Sequence, residues 1–410
     1  MTNKLYRAGE ILYEDGPVSL LSSTQNFLTT RGASYIADRM ASRIFSHAIS
    51  PSELRTSIAT ETFAYAEREQ FEIDENNSKR ELPDKIKSYC RTYSADPLVA
   101  PVIRDAIVND SSVVLTNDGR LISESIGHSE YVLFKKIQTK IREQPVTAIP
   151  DFRTDTYADL IPETNAQVEL GFFLVRHWSY YHWVTEFLPN LRALLAYENA
   201  TGDTPTILVE QDPPDWVLEY LKIAGYEDQV KPLPDATISV DTLLSPPRRI
   251  RGDKNYNPCP KDLVWVRDYF TERVSDVDNK YASRIYISRR DADDRRVLNE
   301  AELISELEKR GFDTVELSEL SISEQISLFQ EVDIVVGPHG SGFTNTIFAD
   351  STAIFEFFPG ERVRHFYYCL AHQLGFDYDF LITPQNDNGD IRIDVERAVK
   401  RLDNFIYSDI

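Results

Sequence analysis

Two groups of residues in this chain are of types and spacings that could do chemistry. The first is the run Gly337-Pro338-His339-Gly340-Ser341-Gly342, continuing into Phe343-Thr344-Asn345, taken with the arginine pairs Arg289-Arg290 and Arg295-Arg296. Glycines let a backbone approach a pyrophosphate closely, and a helix opening after such a loop offers unpaired N–H groups. His339 adds a donor or a positive charge. Arginine suits phosphate because its planar fork donates two parallel hydrogen bonds. Each cluster also has a plain explanation: glycine serves tight turns, and the arginines could bridge to Asp291, Asp293 and Asp294. A nucleotide diphosphate would satisfy both clusters at once. The second group is His182-Trp183-Val184-Thr185-Glu186-Phe187-Leu188-Pro189, where His182 and Glu186 stand four apart and share a helix face. A carboxylate beside an imidazole fixes its tautomer and raises its basicity, as a general base requires. A helix-capping histidine with a neighbouring salt bridge is the plainer alternative.

The elements that must carry these residues read as alternating strands and helices. Arg284 to Ser288 is a strand. Asn299 with Glu302 opens a helix that carries Leu303, Ile304 and Leu307 and ends at Gly311. Thr314 to Leu317 is the next strand, and Ser321 with Glu324 caps a helix presenting Ile322, Ile326 and Phe329. Ile334 to Val336 and Ala353 to Phe358 are two more strands. This alternation predicts an α/β fold with a doubly wound, mainly parallel sheet, whose ligands bind at the carboxyl ends of its strands. An earlier α/β layer is expected from the strand Gly171 to Val175, a helix Tyr181 to Tyr197 and the strand Thr206 to Val209. Upstream, Ser112 to Thr116 and Arg120 to Ile122 flank a hairpin turn at Asn117-Asp118-Gly119. Leu20 to Phe45 and Glu67 to Pro83 read as helices and a loop. Prolines and arginines crowd Ser245 to Pro260, which marks a boundary. The expected division is an N-terminal helical and β extension over 1–100, one α/β domain over 101–248 and a second over 249–384. Residues 385–410 are expected to pack back on the first α/β domain.

A chain of 410 residues exceeds what one core usually supports, which agrees with two core-forming domains. Its 44 basic and 66 acidic residues give a net charge of −22, spread along the chain, which argues against general nucleic-acid or anionic-membrane binding. Lysine is scarce beside arginine, and that balance with abundant acid suggests a halophilic source. Cys90, Cys259 and Cys369 are isolated, so a reducing compartment fits better than a disulfide framework. No apolar signal-peptide core or membrane-span run is present, and a cytoplasmic protein is expected. Arg31, Arg39 and Arg43 beside apolar residues leave open a peripheral contact with the inner membrane face, a packed helix or a homo-oligomer contact. Asp291-Ala292-Asp293 and Asp377-Tyr378-Asp379 match an Asp-x-Asp metal pattern, which an acidic chain produces by chance, and no metal site is assigned.

In combination and in order, these motifs resemble glycosyltransferase family 61, the group of capsular polysaccharide transferases and distant protein and xylan glycosyltransferases. The resemblance runs from His182-Trp183 and Leu188-Pro189 through Tyr286 to Arg290 and Arg295 to Glu300, then on to Val336 to Asn345 and Glu356 to Pro359. It implies a GT-B-like arrangement, with two Rossmann-like domains facing across a cleft, acceptor on the first and nucleotide sugar on the second. It implies inverting, metal-independent transfer, with a nucleotide-sugar co-substrate and no other cofactor. Carried over, Arg289 and Arg296 hold the diphosphate, with Glu300 on the same donor side. Gly337, His339, Gly340, Ser341, Gly342 and Asn345 close on nucleotide and sugar, and Glu356 accepts hydrogen bonds from the ribose. His182 and Glu186 form the base side, and either could take the proton. Ser341 and Phe343 depart from the family's alanine and leucine, and Glu186 stands where aspartate is commoner. The implied partners are a nucleotide-sugar donor and a glycan or lipid-linked oligosaccharide acceptor, in surface polysaccharide or glycoprotein glycan synthesis. A nucleotide-sugar or glycan binder with the same fold and no catalysis is the alternative. A Rossmann oxidoreductase is disfavoured, because no Gly-x-Gly-x-x-Gly follows an early strand.

Overall fold

The computed structural model describes residues 33–407 apart from 77, 79, 110–112, 127–132, 135–136, 139–162, 175–178, 235, 248–256, 275–276 and 361. A helix, α1 (Ala33–Ser46), is followed by β1 (Glu61–Ala66), β2 (Glu69–Ile73), β3 (Arg91–Ala95), β4 (Leu98–Asn109) and β5 (Val113–Leu115). Next come β6 (Glu163–Phe173), α2 (Leu191–Thr201), β7 (Thr206–Val209), α3 (Asp215–Ile223), β8 (Val230–Pro232) and β9 (Thr237–Leu244). The second half contains α4 (Pro260–Thr271), β10 (Arg284–Ile287), α5 (Glu300–Glu308), β11 (Asp313–Val315), α6 (Ile322–Gln330) and β12 (Ile334–Pro338). It ends with β13 (Ala353–Pro359), α7 (Phe366–Leu374), β14 (Asp377–Thr383) and α8 (Val395–Tyr407).

The second sheet is the doubly wound one. Its order is β11-β10-β12-β13-β14, and every pair is parallel. Continuous apolar runs such as Ile334 to Val336 belong in strands covered on both faces, and that is where they lie. On β13, Ile354 and Phe358 join the larger apolar cluster, while Phe355 and Phe357 pack with α5 and α8 on the other face. The capping box at Ser321 and Glu324 starts α6 as the sequence reads, and Gly311, at φ +78°, closes the turn after α5. Asn299 differs: its side chain makes no cap and binds the backbone of Ile393 instead, fastening the C-terminal segment.

The first sheet is mixed. Its path is β1-β4-β9-β6-β7-β8, with β5 added on β4. The run β9-β6-β7-β8 is parallel, and the pairs made by β4 are antiparallel. Only part of it is therefore Rossmann-like. The largest apolar cluster runs from Phe172 and Ile207 in this sheet to Ile285, Val335 and Ile354 in the other, so the two sheets share one core.

Four expectations are corrected. Glu67 to Pro83, read among helices and a loop, contains β2, which pairs with β3, and β1 pairs with β4, because alternating runs such as Thr62-Phe63-Ala64-Tyr65 form strands. The helix expected from Tyr181 to Tyr197 is broken into a short helix Tyr180–His182, a π-turn Trp183–Phe187, a 3-10 turn Leu188–Asn190 and α2. Pro189, which lacks an N–H, stands at the break. The strand read from Thr314 to Leu317 stops at Val315, and a 3-10 turn begins at Leu317. The C-terminal residues pack on the second sheet rather than the first. Arg401 forms a two-pronged bond with Asp379, Arg310 does so with Asp403, and Phe405 meets Phe355. The turn at Asn117 to Gly119 is present, with Gly119 at φ +81°. Leu20 to Gly32, Val175 and the boundary arginines Arg248, Arg249 and Arg251 lie outside the described residues. Among the described residues no helix is long and apolar enough to cross a membrane.

Candidate functional site

In the second sheet, the chain leaves β10 toward β11 on one side and returns to β12 on the other. The carboxyl ends of β10 and β12 are therefore the switch point, where the crevice of a doubly wound sheet opens. The segment after β10 carries the arginines, and the segment after β12 carries the glycine loop. These two sequence clusters meet there.

Arg289 lies against the glycine loop, and a Cβ at Gly340 would collide with its Nη1. Gly340 is extended, at φ −174°, so the glycine is needed for this close approach and not for an unusual backbone. Nη2 of Arg289 donates to the Asp294 backbone oxygen and carboxylate, both at 3.2 Å, and Nε is buried without a partner. Burial, then the neighbouring charge of Arg295, lowers its pKa, against the pull of Asp294 and Asp291. Two guanidinium groups that oppose each other in a half-buried place attract an anion.

In this structure the second guanidinium beside the loop is that of Arg295, while Arg296 pairs with Asp390. Arg295 is left-handed at φ +60°, uncommon for a residue with a side chain, and that turn sends its Nη1 to the His339 backbone oxygen at 2.9 Å. Arg296 faces the other way. Its backbone N–H and guanidinium both donate to Asp390, the guanidinium to Oδ2 at 3.0 Å, and its side chain is 46% exposed. The pair Arg295-Arg296 was legible as a cation source, but which member turns inward depends on a backbone angle that the residue types do not encode.

Three further residues expected on the donor side have partners within the protein in this structure. Glu300 accepts from Tyr286 and Ser288 at 2.9 Å and from Arg290 at 2.7 Å, so it anchors the end of β10. Asn345 is 0% exposed. Its amide donates to Gln325 at 2.7 Å and its oxygen accepts from Tyr180 at 2.5 Å, tying the two halves of the chain together. Glu356 is 0% exposed as well. One oxygen is bonded to Nδ1 of His339, and the other accepts from the Tyr378 hydroxyl at 2.6 Å. Ser341 is exposed at the loop, and Gly337 and Gly342 pack close to Ile287 and Leu317.

On the other side, Nδ1 of His182 is hydrogen bonded to Glu186 Oε1. The carboxylate is buried at 1% and the imidazole is 26% exposed, so the ring is the accessible member. The two histidines border one aromatic group. His182 and Tyr181 contact Phe366, Tyr181 contacts Tyr367, and the Tyr367 ring lies 5.4 Å from that of His339. Burial and the charge of Glu356 raise the Tyr367 pKa, while Arg295 and Arg289 pull it back, which places this phenol among the same charges. Tyr367 and Tyr180 carried no motif signal, and Tyr378 stood only at the open position of an Asp-x-Asp match, because only the fold brings them here. Of the two Asp-x-Asp matches, the second has Asp379 engaged by Arg401 through both oxygens.

A parallel, doubly wound sheet with paired guanidinium groups at its switch point places the protein in the Rossmann-like α/β class. Residues 180–355 match the family described as glycosyltransferase 61, the family that the motifs resemble. That span takes in both arginine pairs, the glycine loop and His182 with Glu186, and it stops one residue before Glu356. A curated relative, the EGF domain-specific O-linked N-acetylglucosamine transferase of Gallus gallus, is 34% identical over 103 residues. The match covers 23% of this chain and 19% of the relative, so the chain spans about a fifth of that protein's length.

Proposed function

We propose that this protein is an inverting glycosyltransferase that moves a sugar from a nucleotide-sugar donor to a hydroxyl of a glycan or lipid-linked oligosaccharide, without a bound metal. The observation that carries the reading is the meeting of the arginine–glycine switch point with the His182–Glu186 pair across Phe366 and Tyr367. The donor's diphosphate lies against Arg289, Arg295 and the glycine loop, and the acceptor enters beside His182, between the two sheets. His182, held by Glu186, takes the acceptor's hydroxyl proton as its oxygen attacks the anomeric carbon on the face opposite the nucleotide. The carbon–oxygen bond to the diphosphate breaks with inversion, and the two guanidinium groups stabilise the charge that develops.

The relative's name makes an N-acetylglucosamine nucleotide the first donor to test. A panel of nucleotide sugars should raise the melting temperature with one donor, and that donor should support transfer in excess EDTA. Loss of transfer that magnesium restores would sink the metal-free part. Binding without transfer to any glycan acceptor would favour a non-catalytic binder.

A further inference from the structure

We infer that Glu356 and Tyr378 are positioning residues that aim His339 at the anion held by Arg289 and Arg295, an inference that rests on the donor-site reading above. On β13, Ile354 and Phe358 point into the large apolar core, and Glu356 stands between them on the same face. A charge in that place is unfavourable unless each oxygen is hydrogen bonded. Both are: one by the His339 ring, the other by the Tyr378 hydroxyl at 2.6 Å. An apolar side chain would continue the face at no such cost, so packing alone does not explain the carboxylate.

The three residues come from the neighbouring strands β14 and β13 and from the end of β12, and they form a diagonal across the sheet, Tyr378 in register with Ile354 and Glu356 with Gly337, that finishes at the glycine loop. Register fixes this diagonal: Gly337, two residues before His339, pairs with Glu356, and the His339 N–H donates to the Phe357 oxygen at 2.9 Å. With Nδ1 committed to Glu356, Nε2 is the ring nitrogen left for a ligand, and it has no partner among the described residues. The backbone oxygen of the same residue accepts from Arg295, so imidazole and guanidinium are locked to one piece of chain. A ring that donates Nδ1–H to Glu356 offers an anion a donor at Nε2 only when it carries both protons. The buried carboxylate supplies the counter-charge for that form, and Tyr378 holds the carboxylate in place.

The test uses inorganic pyrophosphate as probe, titrated calorimetrically into the full chain at low salt, with melting curves confirming that each variant is folded. Tyr378→Phe and Glu356→Gln should each weaken binding about tenfold, close to the effect of His339→Ala. Glu356→Gln combined with His339→Ala should be no worse than His339→Ala alone, since residues acting through one group are not additive. Imidazole-nitrogen NMR, assigned by the signals missing in His339→Ala, should show both nitrogens of His339 protonated once pyrophosphate is bound. If Tyr378→Phe and Glu356→Gln bind as the wild type does while Arg289→Ala has lost binding, the positioning role is wrong and the donor site stands. Nδ1 found unprotonated in the wild type would overturn the role without any variant. Wild-type protein that fails to bind pyrophosphate would overturn the donor-site reading and this inference with it.

Discussion

His182 meets Glu186 within one turn of chain, four positions away, whereas His339 meets Glu356 seventeen positions away, across the ends of two strands. In both pairs the carboxylate is buried, at 1% and 0%, but the imidazole is 26% exposed in the first and 11% in the second. The local pair spans the end of the short helix Tyr180–His182 and the π-turn that follows it, just before Pro189, and its ring is open enough for the proton exchange proposed above. The tertiary pair is set by strand register inside a packed sheet, and its Glu356 is braced again by Tyr378. Such a ring is suited to presenting a fixed donor. In the proposed reaction the same two residue types would move a proton in one wall and orient a donor in the other, and their difference in exposure is what the proposal uses to separate the tasks.

That division predicts a split in kinetics. Glu186→Gln leaves the donor site untouched and removes the charge that supports the base, so turnover should fall by about 10²- to 10³-fold while donor affinity stays near wild type. Steady-state rates with the identified donor, beside calorimetric affinities for its nucleoside diphosphate, would measure both. A loss of donor affinity in Glu186→Gln as large as that in Arg289→Ala would erase the distinction between the walls.

The same contrast explains what could be read from the sequence. The His182–Glu186 pair was legible because an i,i+4 spacing needs only one turn of helix, and it survives the break that Pro189 makes downstream. The second sheet was legible because strands such as Ile334 to Val336 and Ala353 to Phe358 alternate with capped helices. The mixed first sheet was not, since the long strand β4 pairs antiparallel with partners far apart in the sequence. Glu356 was legible as a motif residue, but its motif does not say that Tyr378 and His339 hold its oxygens. Asn345 was placed on the donor for the same reason, and only the fold shows Tyr180 and Gln325 taking both ends of its amide. The seating of the last 25 or so residues was misread, because the charges that hold α8, Asp379 and Arg310, lie in other elements.

Gly340 sharpens the comparison on the tertiary side. Its extended backbone accepts alanine without strain, so Gly340→Ala tests only the space that Arg289 fills. The displaced guanidinium should weaken binding of a nucleoside diphosphate by about tenfold, comparable with loss of one charge-assisted hydrogen bond, while the melting temperature moves by only a few degrees. Unaltered affinity in Gly340→Ala would show that Arg289 does not touch the ligand from this position.

The smallest effect is expected at Arg296, the cation that sequence alone favoured. Its guanidinium is committed to Asp390 away from the glycine loop, so Arg296→Ala should change diphosphate affinity by less than about twofold, where Arg295→Ala should cost about tenfold. Arg296 has a different signature, in stability against pH. Its hydrogen bonds hold the Asp390 carboxyl below its ordinary value of 3.8. A carboxylate lowered on folding adds stability that is present above that value and is lost as pH falls through the folded one. The melting temperature of the wild type should therefore exceed that of Arg296→Ala at neutral pH by a small margin, since the Arg296 guanidinium is 46% exposed and screened and the Arg296 backbone N–H still holds Asp390 in the variant, and the margin should close below pH 3.8. A variant with that pH signature and a large loss of diphosphate affinity would put Arg296 back in the donor site and remove Arg295 from it.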